Sequence, residues 1–270
     1  MSETNTQPLS FSDALKILDN ATTEAFTTSV WIPSLKRNVS IKEISAKQQK
    51  KLLQSALDSS IAKSTFAKTF YQIIKENCLE ENIFSTFTVV DKICIALSLR
   101  NQISKELKIE LQAEPKIEKT IELQPLINSF KTYIHPSAYE ININKNSVNL
   151  KLIVEIPYLE LDTAFDEFTK AQPKDDDIEV IKQTITEAFL VETGKYIKDL
   201  SIDNQDFEFS KMSVTQRLAL IEKLPAAVLQ LVIQKAAEWK IEINNILTVK
   251  SDDETLSKPI DIDSMLFLSV

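Results

Sequence analysis

One histidine, two cysteines and two groups of aspartates are the side chains whose types and spacing raise the question of chemistry. His135 could act as the base of a Ser-His-Asp arrangement, which needs only one imidazole. It precedes Pro136 in a turn-like dipeptide, so its expected role is that of a loop histidine without proton-transfer duty. Cys78 and Cys94 lie sixteen residues apart, each inside an apolar helical pattern, and no C-x2-C or H-x3-H spacing accompanies them. They read as two buried, reduced thiols. Asp175, Asp176 and Asp177 invite a metal. Neighbours on a helix point about 100° apart, however, and do not converge on one ion without a loop. Negative charge at a helix start is favoured by the helix dipole in any case. Asp162 and Asp166, at i,i+4, are the best carboxylate pair, and nothing in the pattern shields them or raises a pKa.

Glycine is the sharper constraint. Gly194 is the only one in 270 residues, where ordinary usage is about 7%. Phosphate loops, dinucleotide fingerprints and G-x-S-x-G nucleophile turns need glycine for positive φ or close backbone approach, and none can be written here. The abundance of Lys, Ile and Asn points to an AT-rich genome as part of the cause. Gly194 itself is placed to end a 175–193 helix as a C-cap. No catalytic, metal-ligating or cofactor-binding residue is assigned, and the chain is expected not to be an enzyme.

The elements that would position these residues follow from periodicity. Phe11 to Ser29 has helical spacing through Leu15, Leu18 and Phe26, with weak propensity. Val30–Ile32 and Val39–Ile41 flank Pro33-Ser34 as a small hairpin. Ser45-Ala46-Lys47-Gln48 has the form of a capping box and opens a helix with Leu52, Leu53, Ala56 and Leu57 on one face. A second helix runs from Ala62 to Cys78, and a third from Thr88 to Arg100. The period then changes: Leu107, Ile109 and Leu111 alternate with polar residues, and the strand rhythm continues through Ile117, Ile121 and Leu123. Segments 139–144 and 148–156 read as a hairpin across Lys145-Asn146-Ser147. Helices return at 159–171, 175–193, 213–223 and 226–240; the last is apolar on most sides, as a central or partner-covered helix would be. The apolar C-terminus reads as tucked into the domain.

The fold class is therefore α+β, with an N-terminal helical cluster, a central antiparallel sheet and C-terminal helices. Residues 1–29 form a flexible or weakly helical segment, 30–106 a small hairpin plus helical subdomain, and 107–270 an antiparallel sheet with C-terminal helices. A single domain over 30–270 is the alternative.

The net charge of −8 conceals a polarity. Residues 1–135 carry 17 basic against 15 acidic side chains, and residues 136–270 carry 14 against 24. The basic stretch 36–75 could touch nucleic acid, but an acidic molecule repels it, and an electrostatically complementary protein partner fits better. The polar start SETNTQPLSFSD has no signal-peptide progression, and no apolar run approaches the roughly 18 residues of a membrane span.

The stretch WIPSLKRNVSIKEISAKQQKKLLQSALD resembles the opening of the baseplate hub and hub-assembly proteins of T-even-type contractile-tailed bacteriophages. In that family an aliphatic-Pro-Ser turn leads to a short strand and a Thr/Ser-x-x-Gln capped helix rich in Lys and Leu. IIKENC, TVVDKICIALSLR, NSVNLKLIVEIP, YIKDL, MSVTQRLALIEKLP and PIDIDSMLF follow in order, so the similarity spans roughly residues 30–268. One departure is the lack of a glycine just after the third helix, where Asn101-Gln102-Ile103-Ser104 stands. The resemblance implies a non-enzymatic phage tail protein of the baseplate central hub, acting by protein–protein contacts with other tail and baseplate proteins. The alternative is a tail-assembly chaperone absent from the mature virion. It implies the host cytoplasm during assembly and the virion tail baseplate as locations, with no small-molecule substrate. Trp31, Arg37, Lys47, Lys50 and Lys51 are the candidate protein interface, set against the reading of Trp31 as core and the lysines as solvated.

Overall fold

The computed structural model describes residues 10–57, 62–80, 82–111, 117–171, 187–207, 209–252 and 254–265. In chain order, α1 (Phe11–Ala25) leads into the hairpin β1 (Thr27–Ile32) and β2 (Arg37–Lys42). Helices α2 (Ala46–Leu57), α3 (Ala62–Asn77) and α4 (Val89–Ile103) follow, then the hairpin β3 (Glu106–Leu111) and β4 (Ile117–Glu122). Next come α5 (Leu123–Thr132), β5 (Tyr139–Lys145), β6 (Val148–Val154) and α6 (Leu159–Ala171). After α7, helical over 187–194, come β7 (Ile197–Ile202), β8 (Gln205–Phe207), α8 (Val214–Ile221) and α9 (Ala226–Leu247). The short pair β9 (Thr248–Lys250) and β10 (Ser257–Pro259), then α10 (Ile262–Met265), complete the described chain. The architecture is α+β with antiparallel sheets, and helices precede and follow the four-stranded sheet β5-β6-β7-β8.

The centre of the molecule is α4. Every residue from Cys94 to Asn101 is buried, and β1, α5, α6 and α10 all pack on this helix. Its start is set by Thr88, whose hydroxyl oxygen caps the Asp91 N–H while the Asp91 carboxylate accepts from the Thr88 N–H at 2.6 Å. Such reciprocal capping satisfies two otherwise orphaned donors. Sequence periodicity reads the last long helix as either central or partner-covered, and the structure speaks against the central alternative. It gives α9 one buried face (Val228, Leu229, Val232, Ala236 and Trp239), leaves Leu231 and Ile241 exposed, and extends the helix seven residues past Lys240. One core runs from Val30 to Met265, with Phe70, Phe87, Phe130, Phe165 and Phe209 among its largest enclosed side chains.

The expected box at Ser45/Gln48 is formed, and a second, Ser213 with Gln216, opens α8. Pro225 is the N-cap of α9, the residue before its first turn. Met265 is fully enclosed against the core, in keeping with a tucked C-terminal segment, and 266–270 lie outside the described residues. Leu123, expected to continue a strand, instead begins α5, where the spacing Leu123, Leu126, Ile127, Phe130 is helical and Pro125 falls in the first turn. The hairpin β7–β8 has no counterpart in the sequence reading; its turn is Asp203-Asn204, both at positive φ. After α4 the glycine-less exit is resolved by Ser104, which adopts an extended conformation, so that turn requires no left-handed residue.

Gly194 is not a left-handed cap. Its φ is negative, and it is the last helical residue of α7. What crowds a side chain there is proximity: an added Cβ would lie 2.6 Å from Ile221 Cδ1, which would have to shift. The constraint is one of packing, where the sequence alone suggests one of backbone conformation.

Candidate interaction surfaces

The five residues expected to form one contact surface are distributed over three elements, β1, β2 and α2, with Trp31 and Arg37 on opposite faces of their hairpin. In β1–β2, Val30 pairs with Val39 and Ile32 with Arg37, whereas Trp31 pairs with Asn38. Cross-strand partners share a face and neighbours along a strand oppose each other. Arg37 thus belongs to the inward-facing register at the hairpin end, and Trp31 to the other side. Trp31 is half-buried, and its indole N–H is enclosed without a hydrogen-bond partner. Arg37 reaches out of the hairpin to Glu80 in a bidentate ion pair, 3.0 and 2.6 Å. That hydrogen bonding raises the guanidinium's pKa and lowers the carboxylate's.

Lys47, Lys50 and Lys51 are exposed on α2, opposite Leu52, which is buried. The helix is anchored by Gln48, which donates to Asn77 Oδ1 at 2.8 Å and to Glu76 at 3.2 Å. Glu76 is held below the ordinary carboxylate range by that Gln48 bond, with Lys51 and Lys47 adding to it. Lys51 also lines a groove of about 450 Å³ with Tyr71 and Glu76 of α3 and Glu160 of α6. The lysine face is thus joined to α3 and α6, and Trp31 is not shown to be part of it.

The candidate chemical residues have structural partners. Asp162 accepts from Lys195 at 2.9 Å, and Lys195 also meets Glu192 at 3.0 Å, with both Asp162 and Lys195 largely withdrawn from solvent. Burial alone would lower the Lys195 pKa; Asp162 and Glu192 outweigh it and hold the ammonium well above its usual value. Cys78 and Cys94 are both free thiols; Cys94 is buried, which raises its pKa well above the usual value, and Cys78 is half-buried. Among the described residues, no group of three His, Cys, Asp or Glu side chains could hold a metal ion. Asp175–Asp177 lie outside the described residues.

His135 is a loop histidine, as expected, and its surroundings are more enclosed than a turn-like dipeptide suggests. It lies between α5 and β5, half-buried, with Nδ1 3.1 Å from the Pro136 carbonyl and Nε2 enclosed without a partner. The carbonyl can only accept, so Nδ1 carries the proton and Nε2 is a bare acceptor in the neutral ring. Burial lowers its pKa, while Asp91 and Glu155 work in the opposite direction. Asp91 is not its orienting carboxylate, because the Ser34 N–H, the Thr88 N–H and the Thr88 hydroxyl already occupy it. No Ser-His-Asp relay is assembled from these groups.

A surface that the sequence reading touched only as periodicity is the apolar stripe of α1. Phe11, Leu15 and Leu18, at i, i+4 and i+7, are 80%, 47% and 59% exposed. All residues from Phe11 to Leu18 face solvent, and the helix packs on the body through β1. Residues at that spacing share one helix face, so the chain presents a contiguous apolar strip that its own core leaves uncovered. No protein-family description, curated protein or solved structure matches this chain. Among the described residues, no helix is long and apolar enough to cross a membrane.

Proposed function

We propose that this protein is a non-enzymatic component of the baseplate central hub of a T-even-type phage tail, working through protein–protein contacts. The resemblance over residues 30–268 names the assembly; the observation that carries the mode of action is the α1 stripe. Phe11, Leu15 and Leu18 stand exposed on one face of an amphipathic helix, and contiguous exposed apolar strips mark surfaces that other proteins cover. A helix of this kind binds by laying that face into an apolar groove, read as i, i+4, i+7 anchors. The lysine face of α2 supplies a second, polar contact area. The host cytoplasm during assembly and the tail of the virion are the corresponding locations.

The test is affinity capture of the tagged chain from cells infected by the phage that encodes it, combined with mass spectrometry of purified virions. Recovery of baseplate proteins, and of the chain itself in particles, supports the hub role. Recovery of baseplate proteins without the chain in particles makes it an assembly chaperone instead. Failure to retain any tail protein overturns both. Replacing Phe11, Leu15 and Leu18 together by Ser should abolish capture while shifting the melting temperature of the body by no more than about 6 °C, because exposed substitutions change stability by at most about 0.5 kcal/mol each, about 1.5 kcal/mol together.

A further inference from the structure

A second concave surface lies on another part of the molecule and has a different chemistry. A cleft of about 440 Å³ is bounded by the β1–β2 turn, the segment between α5 and β5, and α9. Lys36, His135, Lys235, Tyr139 and Trp239 line it, and among the described residues no carboxylate does. That absence stands out in a chain of net charge −8 whose second half carries 24 acidic side chains.

The cations are positioned. Lys36 sits at φ 52°, the left-handed corner of the hairpin turn, where the chain reverses next to His135. Lys235 extends along α9 with its ammonium 5.1 Å from the Tyr139 ring centre and 5.7 Å from that of Trp239. An ammonium placed against two aromatic rings loses freedom, which pre-orders it for an incoming anion. One native carboxylate already approaches it: Glu238, a turn further along α9, lies 2.8 Å from Lys235. At the rim, Ile134 is 81% exposed and Tyr139 44% exposed, so apolar surface borders the basic cleft.

We propose that this cleft docks an acidic segment of a partner protein, its carboxylates on Lys36 and Lys235 and an aliphatic side chain against Ile134 and Tyr139. Glu238 then acts as an internal competitor that the partner's carboxylate displaces from Lys235. A nucleic-acid strand is the poorer occupant. Binding a phosphate chain requires a row of cations, and here two lysines stand on an acidic molecule with Glu238 beside them. This inference is independent of the hub reading, since it concerns the chemistry of the segment bound and not the assembly in which it occurs.

The experiment measures fluorescence anisotropy of a fluorescein-labelled acidic peptide, EDELIDE, titrated with the full chain at low salt. A neutral counterpart, QNQLIQN, and labelled decathymidylate serve as the other arms. The acidic peptide should bind, the neutral one should bind markedly less, and salt should weaken the complex. Lys36→Asn, which retains a residue tolerant of the left-handed corner, and Lys235→Gln should each weaken binding about two- to fivefold, as expected for partly exposed ion pairs. Glu238→Gln should strengthen it, a gain that no misfolded variant would produce. Absence of binding by the acidic peptide overturns the proposal. So does binding indifferent to Lys36→Asn and Lys235→Gln, or an unchanged or weakened affinity in Glu238→Gln. Tighter binding of decathymidylate, lost in the same lysine variants, would overturn it in favour of nucleic acid.

Discussion

Gly194→Ala separates two reasons for the same residue. If the glycine served a left-handed cap, its replacement would fail on backbone conformation, and Asn would be tolerated better than Ala. The backbone here is helical with negative φ, so Ala is conformationally welcome and should gain about 0.5–1 kcal/mol over Gly. Opposing this is space. The new methyl would lie 2.6 Å from Ile221 Cδ1, with Phe165 at 3.4 Å and Leu218 at 3.7 Å around the same spot. Carbon atoms rest at about 3.5–4.0 Å, so Ile221 must retreat by roughly 1 Å. It is fully buried, and over-packing of such a site typically costs about 1–3 kcal/mol. At the middle of the two ranges the steric cost is the larger, leaving a net loss of about 1 kcal/mol and at most about 2.5 kcal/mol. Ile221→Val removes the offending Cδ1. In the native chain it should cost about 0.5–1.5 kcal/mol; in the Gly194→Ala background the cost should vanish or reverse, a favourable coupling of about 1–2 kcal/mol. Urea unfolding followed by far-UV circular dichroism measures all four corners of the cycle, with m-values expected to be equal. The reasoning is refuted if Gly194→Ala unfolds at the same or higher urea concentration, or if Ile221→Val costs the same in both backgrounds.

Lys195→Met strands Asp162, which is mostly withdrawn from solvent, and should destabilise by about 2–3 kcal/mol in urea unfolding. The same network predicts pH dependence. Lys195 is raised, so its contribution is complete below the ordinary lysine value of 10.5 and disappears as pH climbs through the raised value. Glu192 is lowered: burial works against this, but Lys195 and Lys240 outweigh it, so its contribution is present above 4.5 and disappears as pH falls through the lowered value. The variant should flatten the stability curve at both ends. Asp91→Ala leaves two backbone N–H groups and the Thr88 hydroxyl without their acceptor. A thermal melt should show a loss of about 2–4 kcal/mol, and an unaltered melt would mean that other acceptors replace Asp91. Ser147→Gly should instead stabilise, by about 0.5–1 kcal/mol in urea unfolding, because φ is 64° there and Asn-Gly is the preferred pair at such a hairpin tip.

Local punctuation was the legible part of the fold. Ser45 and Ser213 announced two helix starts, because a capping box is written within four consecutive residues; the Thr88 start was legible from periodicity, and its box with Asp91 emerged only in the structure. The β5–β6 register follows from strict alternation around Asn146-Ser147. Harder to see was the switch at Leu123, where a strand passes into a helix without an intervening turn residue and the apolar period changes inside two positions. The β7–β8 hairpin was hidden for a related reason: glycine is absent from its turn, and Asp203-Asn204 take left-handed conformations in its place. Across the described residues seven non-glycine positions do so, which makes the usual turn signal faint throughout this chain. The candidate sites were less visible still. Lys36, His135 and Lys235 are about a hundred residues apart along the chain and meet only through the packing of α9 beside the segment that follows α5. Only the Lys235/Trp239 pair, at i,i+4 on one helix, carried a local trace of the cleft.

The four-stranded sheet ends differently on its two sides. Strand β8 contributes three residues and β5 seven, and among the described residues β5 is hydrogen-bonded in the sheet only to β6. An edge of seven residues is long enough to template another strand, and one of three is a poor platform. The asymmetry gives the sheet one edge able to accept an added strand, so any extension of the sheet runs outward from β5, on the side away from β8.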